Sequence, residues 1–153
     1  MKFAVREMTL ADRGAWADMR GRLWPAESPQ AHLHAIDKML RSDDAWAYVA
    51  ETPDGTPAGF AEVSIRSFAN GCETQPVPFL EGIWVNEPFR RQGIGRGLIA
   101  HIAALMAARG FREIGSDSEI HNVSAHAAHR GWGFFETERV VYFRKPLGSR
   151  EQA

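Results

Sequence analysis

The sequence predicts an α+β fold with a mixed central β-sheet flanked by helices, and three observations support this. Strand-length apolar runs form a hairpin in the first half of the chain, and strands then alternate with helical patterns. The 153 residues, 44% of them hydrophobic, suffice for one domain with a sizeable core. We expect one domain over residues 1–147 and a flexible tail over residues 148–153.

The elements of the first half follow from local patterns in chain order. Residues 3–8 predict a strand, and Thr9 followed by Asp12 is typical of a helix start. This helix should end near Pro25, and Ser28-Pro29 should begin a second helix because proline is tolerated at the first helical position. Three apolar runs then predict strands, the first two as a hairpin: residues 45–50, 59–65 and 79–85.

The second half alternates between helix and strand patterns. An apolar stripe from Ile94 predicts a helix that ends before Gly110. We expect a strand over Phe111–Asp117, a helix over Asn122–Arg130 and a closing strand over Thr137–Lys145.

A segment rich in glycine and arginine joins the third strand of this series to the long helix: Arg90-Arg91-Gln92-Gly93-Ile94-Gly95-Arg96. Glycines let the backbone turn its N–H groups toward one point, and a helix N-terminus adds unpaired donors. Arginines add full positive charges. The segment is therefore typical of a loop that binds phosphate groups.

Several kinds of loop share these features. A nucleoside-triphosphate loop needs a lysine and a hydroxyl after the glycines, but Arg96 and Gly97 stand there. A dinucleotide fingerprint needs a third glycine where Leu98 stands. An ordinary glycine-containing turn with a solvated basic face is a further alternative. Arg90, Gly93 and Gly95 do match the pattern R-x-x-G-x-G/A.

That pattern resembles the acetyl-coenzyme A loop of the GCN5-related N-acetyltransferases, and the Asn122…His129…Gly133-Phe134 segment supports the resemblance over nearly the whole chain. The resemblance implies acetyl-CoA as co-substrate. It assigns the pantetheine arm to the backbone of Ile83, Trp84 and Val85, and the pyrophosphate to the loop. Cofactor contacts are thereby implied for Arg91, Gln92, Gly93, Ile94, Gly95, Arg96 and Asn122.

Two of these residues also have structural interpretations. Asn122 is equally suited to cap the helix that it precedes. His129 stands where many family members carry a tyrosine that is thought to protonate the departing thiolate. A histidine can donate a proton, but a partly buried structural histidine is the alternative.

Carboxylates form a second candidate set. Glu81 interrupts an apolar strand, where a charge is costly unless it is paired or faces a cleft. If the strand ending at Asp117 lies beside it, both acids face one cleft, where they would attract a polycation and could deprotonate an ammonium. Glu138, near the start of the closing strand, belongs to the same candidate set, although each acid alone could be structural.

The combination of Leu23-Trp24-Pro25, Phe79-Leu80-Glu81-Gly82-Ile83 and Ser116-Asp117 is similar to the bacterial aminoglycoside 6′-N-acetyltransferases of the homodimeric branch. This resemblance implies a polycationic aminoglycoside as acceptor and a homodimer, with the loop around Phe68 reaching the partner's site. It places drug contacts at Trp24, Glu27, Phe68, Glu81, Asp117 and Glu138, and catalysis at Glu81, Asp117 and His129. Alternatives are acetylation of a polyamine or a protein N-terminus, and a non-catalytic coenzyme A-binding module.

Composition argues against other classes. The net charge of −1 argues against a broad nucleic-acid footprint. No histidines, cysteines and carboxylates stand at metal-ligand spacing, so no metal is expected. The single cysteine, Cys72, excludes an internal disulfide and suits the cytoplasm, and it is better explained as a loop residue than as a nucleophile. No signal peptide and no membrane-spanning run is expected.

Overall fold

The computed structural model describes residues 2–148, which form a four-stranded antiparallel sheet with helices on both faces. The strands pair in chain order and have these bounds: β1 Ala4–Glu7, β2 Ala45–Glu51, β3 Pro57–Arg66 and β4 Val77–Val85. The helices are α1 Arg13–Leu23, α2 Pro29–Leu40, α3 Ile94–Ala108 and α4 Val123–Gly131. Short 3₁₀ turns cover Leu10–Asp12 and Glu87–Phe89.

The helix starts predicted from sequence are confirmed by their hydrogen bonds. Asp12 accepts the backbone N–H of Thr9 at 2.8 Å, within the 3₁₀ turn that leads into α1. Ser28 Oγ accepts the N–H of Ala31 at 3.1 Å, with Pro29 as the first residue of α2. In both cases a side chain pairs a helix-terminal donor that has no partner within the helix.

The core has two halves, one on each face of the sheet. On β2, Tyr48 and Ala50 pack with α3, whereas Ala47 and Val49 pack with α1 and α2. This alternation follows from the two-residue period of a strand. Because both faces are covered, the strand is a nearly continuous apolar run.

Two predicted strands are wrong. Within the predicted strand at residues 111–117, Gly115 alone pairs, through a parallel bridge to Phe79. Residues 137–145 have no regular structure and are exposed. Their β-branched and aromatic side chains favour a strand, but a strand also requires a neighbouring chain to pair with. The sequence predicts a mixed sheet, but among the described residues the parallel pairing consists of this one bridge.

The predicted tail is described only at Gly148, which is exposed, because residues 149–153 lie outside the described part of the chain. Within residues 2–148, none of the helices has both the length and the apolar character that crossing a membrane requires.

A buried polar network joins α1 to the sheet. Arg20 Nη1 donates to the Glu62 carboxylate at 2.5 Å, and Trp16 Nε1 donates to it at 2.8 Å. Arg20 Nε donates to His32 Nδ1 at 3.2 Å, so His32 Nε2 carries the hydrogen and donates to the carbonyl of Trp24 at 3.1 Å. Arg20, His32 and Glu62 are 7%, 2% and 3% exposed. Their polar groups are mutually satisfied, which makes burial tolerable.

Replacing Glu62 by alanine should lower the free energy of unfolding by about 3–5 kcal/mol, because it leaves the Arg20 charge buried without its partner. Urea denaturation followed by circular dichroism measures this. The control is Asp18→Ala, which removes an exposed ion pair with Arg22 and should cost less than about 1 kcal/mol. Equal losses in the two variants would contradict the role given to the buried pair.

Candidate active site

A β-bulge places Glu81 at the centre of the candidate site. Glu62 pairs with Gly82 and Val63 pairs with Leu80, so Glu81 is the extra residue on β4. A bulge redirects the side chain of its extra residue, which explains how a carboxylate fits into an otherwise apolar strand. Its carboxylate accepts hydrogen bonds from Arg66 Nε at 3.0 Å, Arg66 Nη2 at 2.5 Å and Ser64 Oγ at 3.1 Å.

Arg66 is the cation of this part of the site. The pKa of Arg66 is raised, chiefly by its hydrogen bonds to Glu81, and the charge of Asp117 adds to this. The guanidinium lies 3.6 Å from the ring centroid of Phe79. Glu81 is hydrogen-bonded to this cation, whereas Asp117 acts on it through its charge alone. Two carboxylates and one guanidinium leave one net negative charge there.

The cleft opens where β4 and the segment after Gly115 separate. Gly115 N–H donates to the carbonyl of Pro78 at 2.9 Å, and Leu80 N–H donates to the carbonyl of Gly115 at 2.8 Å. Among the described residues, no backbone hydrogen bond joins residues 116–120 to residues 81–85. One edge of β4 is therefore unpaired over Glu81–Val85.

That edge belongs to the residues expected to hold the pantetheine arm. Ile83, Trp84 and Val85 pair with β3 on their other side, which fixes the direction of their backbone groups. An unpaired strand edge can hold an extended ligand through backbone hydrogen bonds, as it would hold another strand. The geometry is compatible with the predicted role.

The phosphate-type loop follows β4 directly. Arg91 and Gly93 have left-handed backbones, with φ of 63° and 82°. The first turn of α3 includes Ile94, Gly95 and Arg96, whose N–H groups have no acceptor within the helix. Gly95 must remain glycine because an added Cβ would lie 2.8 Å from Trp132 Cζ2. These features assemble several donors beside a helix N-terminus.

Two neighbouring side chains shape the loop. Arg90 Nε donates to the carbonyl of Val85 at 2.9 Å, and its guanidinium lies 4.7 Å from the Trp84 ring centroid. Gln92 Nε2 donates to the carbonyl of Pro88 at 3.2 Å. Arg90 and Gln92 therefore hold the loop against the end of β4, while exposed Arg91 and Arg96 remain at the surface.

Trp24 lies against the bulge. A Cβ added to Gly82 would collide with Trp24 Cη2, so the ring covers the residue next to Glu81. The Arg20 guanidinium is 4.7 Å from the Trp24 ring centroid. Glu27 is exposed, with its carboxylate 3.7 Å from His32 Nδ1. Trp24 and Glu81 are thus brought together, and Glu27 lies at the outer end of the same network.

Asn122 and His129 are both held by α4. Asn122 Oδ1 accepts the N–H of Ala125 at 3.1 Å, which confirms the helix-cap interpretation. No protein acceptor for its Nδ2 is found among the described residues. His129 Nδ1 lies 2.7 Å from the carbonyl of Ala125, and its Nε2 lies 2.7 Å from Ser116 Oγ. His129 is therefore a hydrogen-bonded, half-buried side chain.

The remaining candidates lie on exposed segments. Phe68 is 61% exposed in the loop between β3 and β4. Glu138 is exposed, and the adjacent Thr137 touches the loop at Gly71, where an added Cβ would lie 2.5 Å from Thr137 Oγ1. The structure thus places Glu138 beside the loop without joining it to the other two acids.

The same loop carries Cys72, whose pKa is raised by burial, and this disfavours the reactive thiolate. Glu113 holds the loop by accepting the N–H groups of Thr74 at 2.6 Å and Glu73 at 3.0 Å. Over residues 2–148, no three metal-ligating side chains form a cluster.

Sequence reasoning did not identify Arg66 or Ser116 as members of the site. Arg66 meets Glu81 only because β3 and β4 pair in a register that includes a bulge. Ser116 meets His129 only because α4 packs beside the segment after Gly115. No local signal marks either contact, although Ser116 is adjacent to Asp117, which was singled out.

Comparison with known proteins identifies relatives of the whole chain. The model of the acetyltransferase (GNAT) family matches residues 13–134. An aminoglycoside N(6′)-acetyltransferase type 1 from Stenotrophomonas maltophilia is 46% identical, over 94% of this chain and 93% of the relative. The enzyme of the same name from Serratia marcescens is 43% identical, over 88% of this chain and 92% of the relative.

Solved structures give the same result. AAC(6′)-Iy in complex with the bisubstrate analogue CoA-S-monomethyl-acetylneamine superposes with a TM-score of 0.89 at 36% identity, covering 96% of this chain and 100% of the other. AAC(6′)-Ih from Acinetobacter baumannii also has a TM-score of 0.89, at 33% identity and the same coverage. The matched fold, the loop after β4 and these relatives together show that the chain belongs to the acetyltransferase (GNAT) family, with aminoglycoside 6′-N-acetyltransferases as its near relatives.

Proposed function

We propose that this protein transfers the acetyl group of acetyl-CoA to the 6′-amino group of aminoglycoside antibiotics. The observation that carries the proposal is the unpaired edge of β4, which has the acids at Glu81 and Asp117 at one end and the phosphate-type loop at the other. The names of the near relatives specify the same reaction. One strand edge thereby connects a donor site to an acceptor site.

On the donor side, the negatively charged pyrophosphate suits the N–H groups at the start of α3, with Arg91 and Arg96 beside them. The pantetheine arm would pair with the backbone of residues 83–85. Asn122 would contribute its Nδ2 from the start of α4. Backbone N–H groups of β4 that face the cleft are positioned to polarise the thioester carbonyl. None of these contacts with acetyl-CoA requires a metal ion.

On the acceptor side, an aminoglycoside carries several ammonium groups at neutral pH. The net negative charge of Glu81, Asp117 and Arg66 attracts such a ligand. A ligand ammonium that reaches Glu81 competes with Arg66 for its oxygens, and Asp117 is exposed and open to a second ammonium. Trp24 offers a flat apolar surface for a sugar ring, and Glu27 adds a charge further out. Once bound, the reacting amine loses its proton to this acidic side.

We also propose that the protein acts as a homodimer of one-domain subunits. Among residues 135–147, Phe135, Val141, Tyr142, Phe143 and Leu147 are each more than three-quarters exposed. A run of exposed apolar side chains typically marks an interface. A strand-forming segment with no strand partner in the described chain can pair with a second copy. Glu138 is adjacent to Thr137, which touches the loop that carries Phe68, and Phe68 and Glu138 would then contact the partner's site.

Antibiotic resistance and a cytoplasmic location complete the proposal. The single cysteine suits the reducing cytoplasm. An acceptor site for a class of drugs, rather than for a macromolecule, suits a role in resistance. Expression in a susceptible bacterial strain should raise the inhibitory concentration of aminoglycosides that have a 6′-amino group. Aminoglycosides without this amino group are the control.

Kanamycin or tobramycin with acetyl-CoA tests the reaction directly, with thiol release as the readout and mass spectrometry to locate the acetyl group. Absence of turnover with intact coenzyme A binding would refute the proposal. Within this assay, Glu81→Gln and Asp117→Asn should lower kcat/KM for the drug by about 10²-fold, as loss of a proton acceptor or of an ammonium partner implies. Acetyl-CoA affinity should stay within a factor of about two.

The control for the acidic variants is Asp18→Asn, which removes a charge of the same kind from the exposed face of α1. It should leave both parameters unchanged. Spermidine and a peptide with a free N-terminus are assayed beside the drugs. A higher kcat/KM on either of these amines would reassign the acceptor class.

Gly93→Val should raise the KM for acetyl-CoA at least about tenfold, because a branched side chain obstructs the approach of the pyrophosphate to the loop. Gly55→Val is the matched control. Both glycines have a left-handed backbone, φ of 82° and 84°, and an added Cβ would meet no atom within 4 Å at either site. The backbone strain is therefore equal. An equal rise of KM in both variants would show that strain, rather than ligand exclusion, is responsible.

Phe143→Asp should convert the dimer to a monomer, because it puts a charge into the proposed interface. Sedimentation should give a mass near 17.1 kDa for the variant and about twice that for the wild type. Leu10→Asp is the control, since Leu10 is 68% exposed on a different part of the surface. A monomeric wild type would refute the dimer.

A further inference from the structure

Ser116 is the first residue after the point where β4 and its neighbouring segment separate. Gly115 is the last residue of this segment with backbone hydrogen bonds to β4, through Pro78 and Leu80. Ser116 therefore lies at the apex of the cleft, adjacent in sequence to Asp117. It is half-buried.

Successive residues at the apex point to opposite faces. A Cβ on Gly115 would meet Cys72 Sγ at 2.7 Å and the Phe79 ring at 3.0 Å, on the face where Arg66 covers that ring. In an extended segment, Asp117, two residues on, lies on the same face as Gly115, and its charge adds to the rise of the Arg66 pKa. Ser116 instead meets His129 of α4. The acids and the Ser116–His129 pair thus occupy opposite sides of the apex.

The hydrogen bonds of His129 define what the pair can do. A carbonyl oxygen only accepts, so the 2.7 Å contact with the carbonyl of Ala125 puts a hydrogen on Nδ1. Neutral His129 then has Nε2 as an acceptor, which takes the hydroxyl hydrogen of Ser116 at 2.7 Å. When His129 is protonated, Nε2–H donates to Ser116 Oγ instead. The hydroxyl hydrogen is then released and can turn toward the cleft.

His129 itself is held away from the cleft. Both ring nitrogens are occupied, and the rings of Trp132 and Phe134 lie with centroids 5.3 Å and 5.2 Å from the imidazole. These four contacts fix the ring orientation. A proton can therefore pass between His129 and the cleft through Ser116.

We propose that Ser116 is a further catalytic residue, whose hydroxyl delivers a proton from His129 to the sulfur that leaves acetyl-CoA. This inference rests on the acetyl transfer proposed above. As the amine nitrogen bonds to the carbonyl carbon, the C–S bond breaks and its electron pair goes to sulfur. The hydroxyl proton of Ser116 passes to sulfur, and the Nε2 proton of His129 passes to Ser116 Oγ. His129 is left neutral and regains a proton from water, while the amine proton leaves on the acidic side.

The division between the two faces supports this assignment. The amine nitrogen loses a proton and the sulfur gains one, and these two atoms are bonded to the same tetrahedral carbon. Glu81 and Asp117 suit the first event, and Ser116 with His129 suits the second. Separate groups on separate faces can serve both events without exchanging a proton between them.

The test is steady-state kinetics of Ser116→Ala, Ser116→Thr, His129→Gln and the double variant Ser116→Ala/His129→Gln, with kanamycin and acetyl-CoA. Ser116→Ala should lower kcat about 10²-fold, as expected for loss of a proton donor, with both KM values within a factor of about two. Ser116→Thr keeps the hydroxyl and should restore most of kcat. His129→Gln should match Ser116→Ala, and the double variant should lose no more than either.

His126→Gln is the control, because His126 is a half-buried histidine of the same helix, bonded to the carbonyl of Glu119 rather than to Ser116. Circular dichroism and coenzyme A binding verify that each variant is folded. If Ser116→Ala does not fold, the kinetics of His129→Gln decide whether the relay exists. A kcat within twofold of wild type for Ser116→Ala, or independent losses that multiply in the double variant, would overturn the relay while leaving acetyl transfer intact. A wild type without turnover would overturn both.

Discussion

The buried ion pair between Arg20 and Glu62 is the contact on which the arrangement of the acceptor side depends. It joins α1 to β3 in the interior, and Arg20 extends the network to α2 through His32. A pair of this kind adds little net stability, but each partner makes the other one indispensable. The carbonyl and the ring of Trp24 are both held by this network. The buried charge of Arg20 therefore helps to hold Trp24 against Gly82, which is next to Glu81.

The second constraint is the way in which β4 changes its role along its length. Up to Leu80 it pairs on both sides, with β3 and with Gly115, and beyond Leu80 it pairs with β3 alone. The bulge at Glu81 lies at this change. A single extra residue therefore rotates a carboxylate out of the core at the place where a strand edge becomes available.

Electrostatics in the cleft depends on Arg66 as much as on the acids. Without it, Glu81 would be a half-buried negative charge with no hydrogen-bonded cation. With it, Glu81 is hydrogen-bonded and fixed in direction, and one net negative charge remains. In the proposed reaction, a ligand ammonium would replace a cation that is already present, so the site would be organised for cation binding before the ligand arrives. This is the usual advantage of a preorganised polar site.

By itself, the sequence determined the local features of this protein. Thr9 with Asp12, Ser28 with Pro29 and Asn122 all begin helices as predicted, because capping involves residues three or fewer positions apart. Gly93 and Gly95 identified the loop because the left-handed backbone at Gly93 and the close approach of Trp132 to Gly95 both favour glycine. The acidic set was recognised from the cost of placing Glu81 in an apolar run.

The tertiary structure decided everything that depends on residues far apart in the chain. Arg66 reaches Glu81 through strand register, Arg20 reaches Glu62 through helix packing, and Ser116 reaches His129 because α4 packs beside the segment after Gly115. The segments at residues 111–117 and 137–145 have the composition of strands, yet the first forms one bridge and the second forms none. Strand propensity is a property of the segment, whereas strand formation requires a partner with free backbone donors and acceptors.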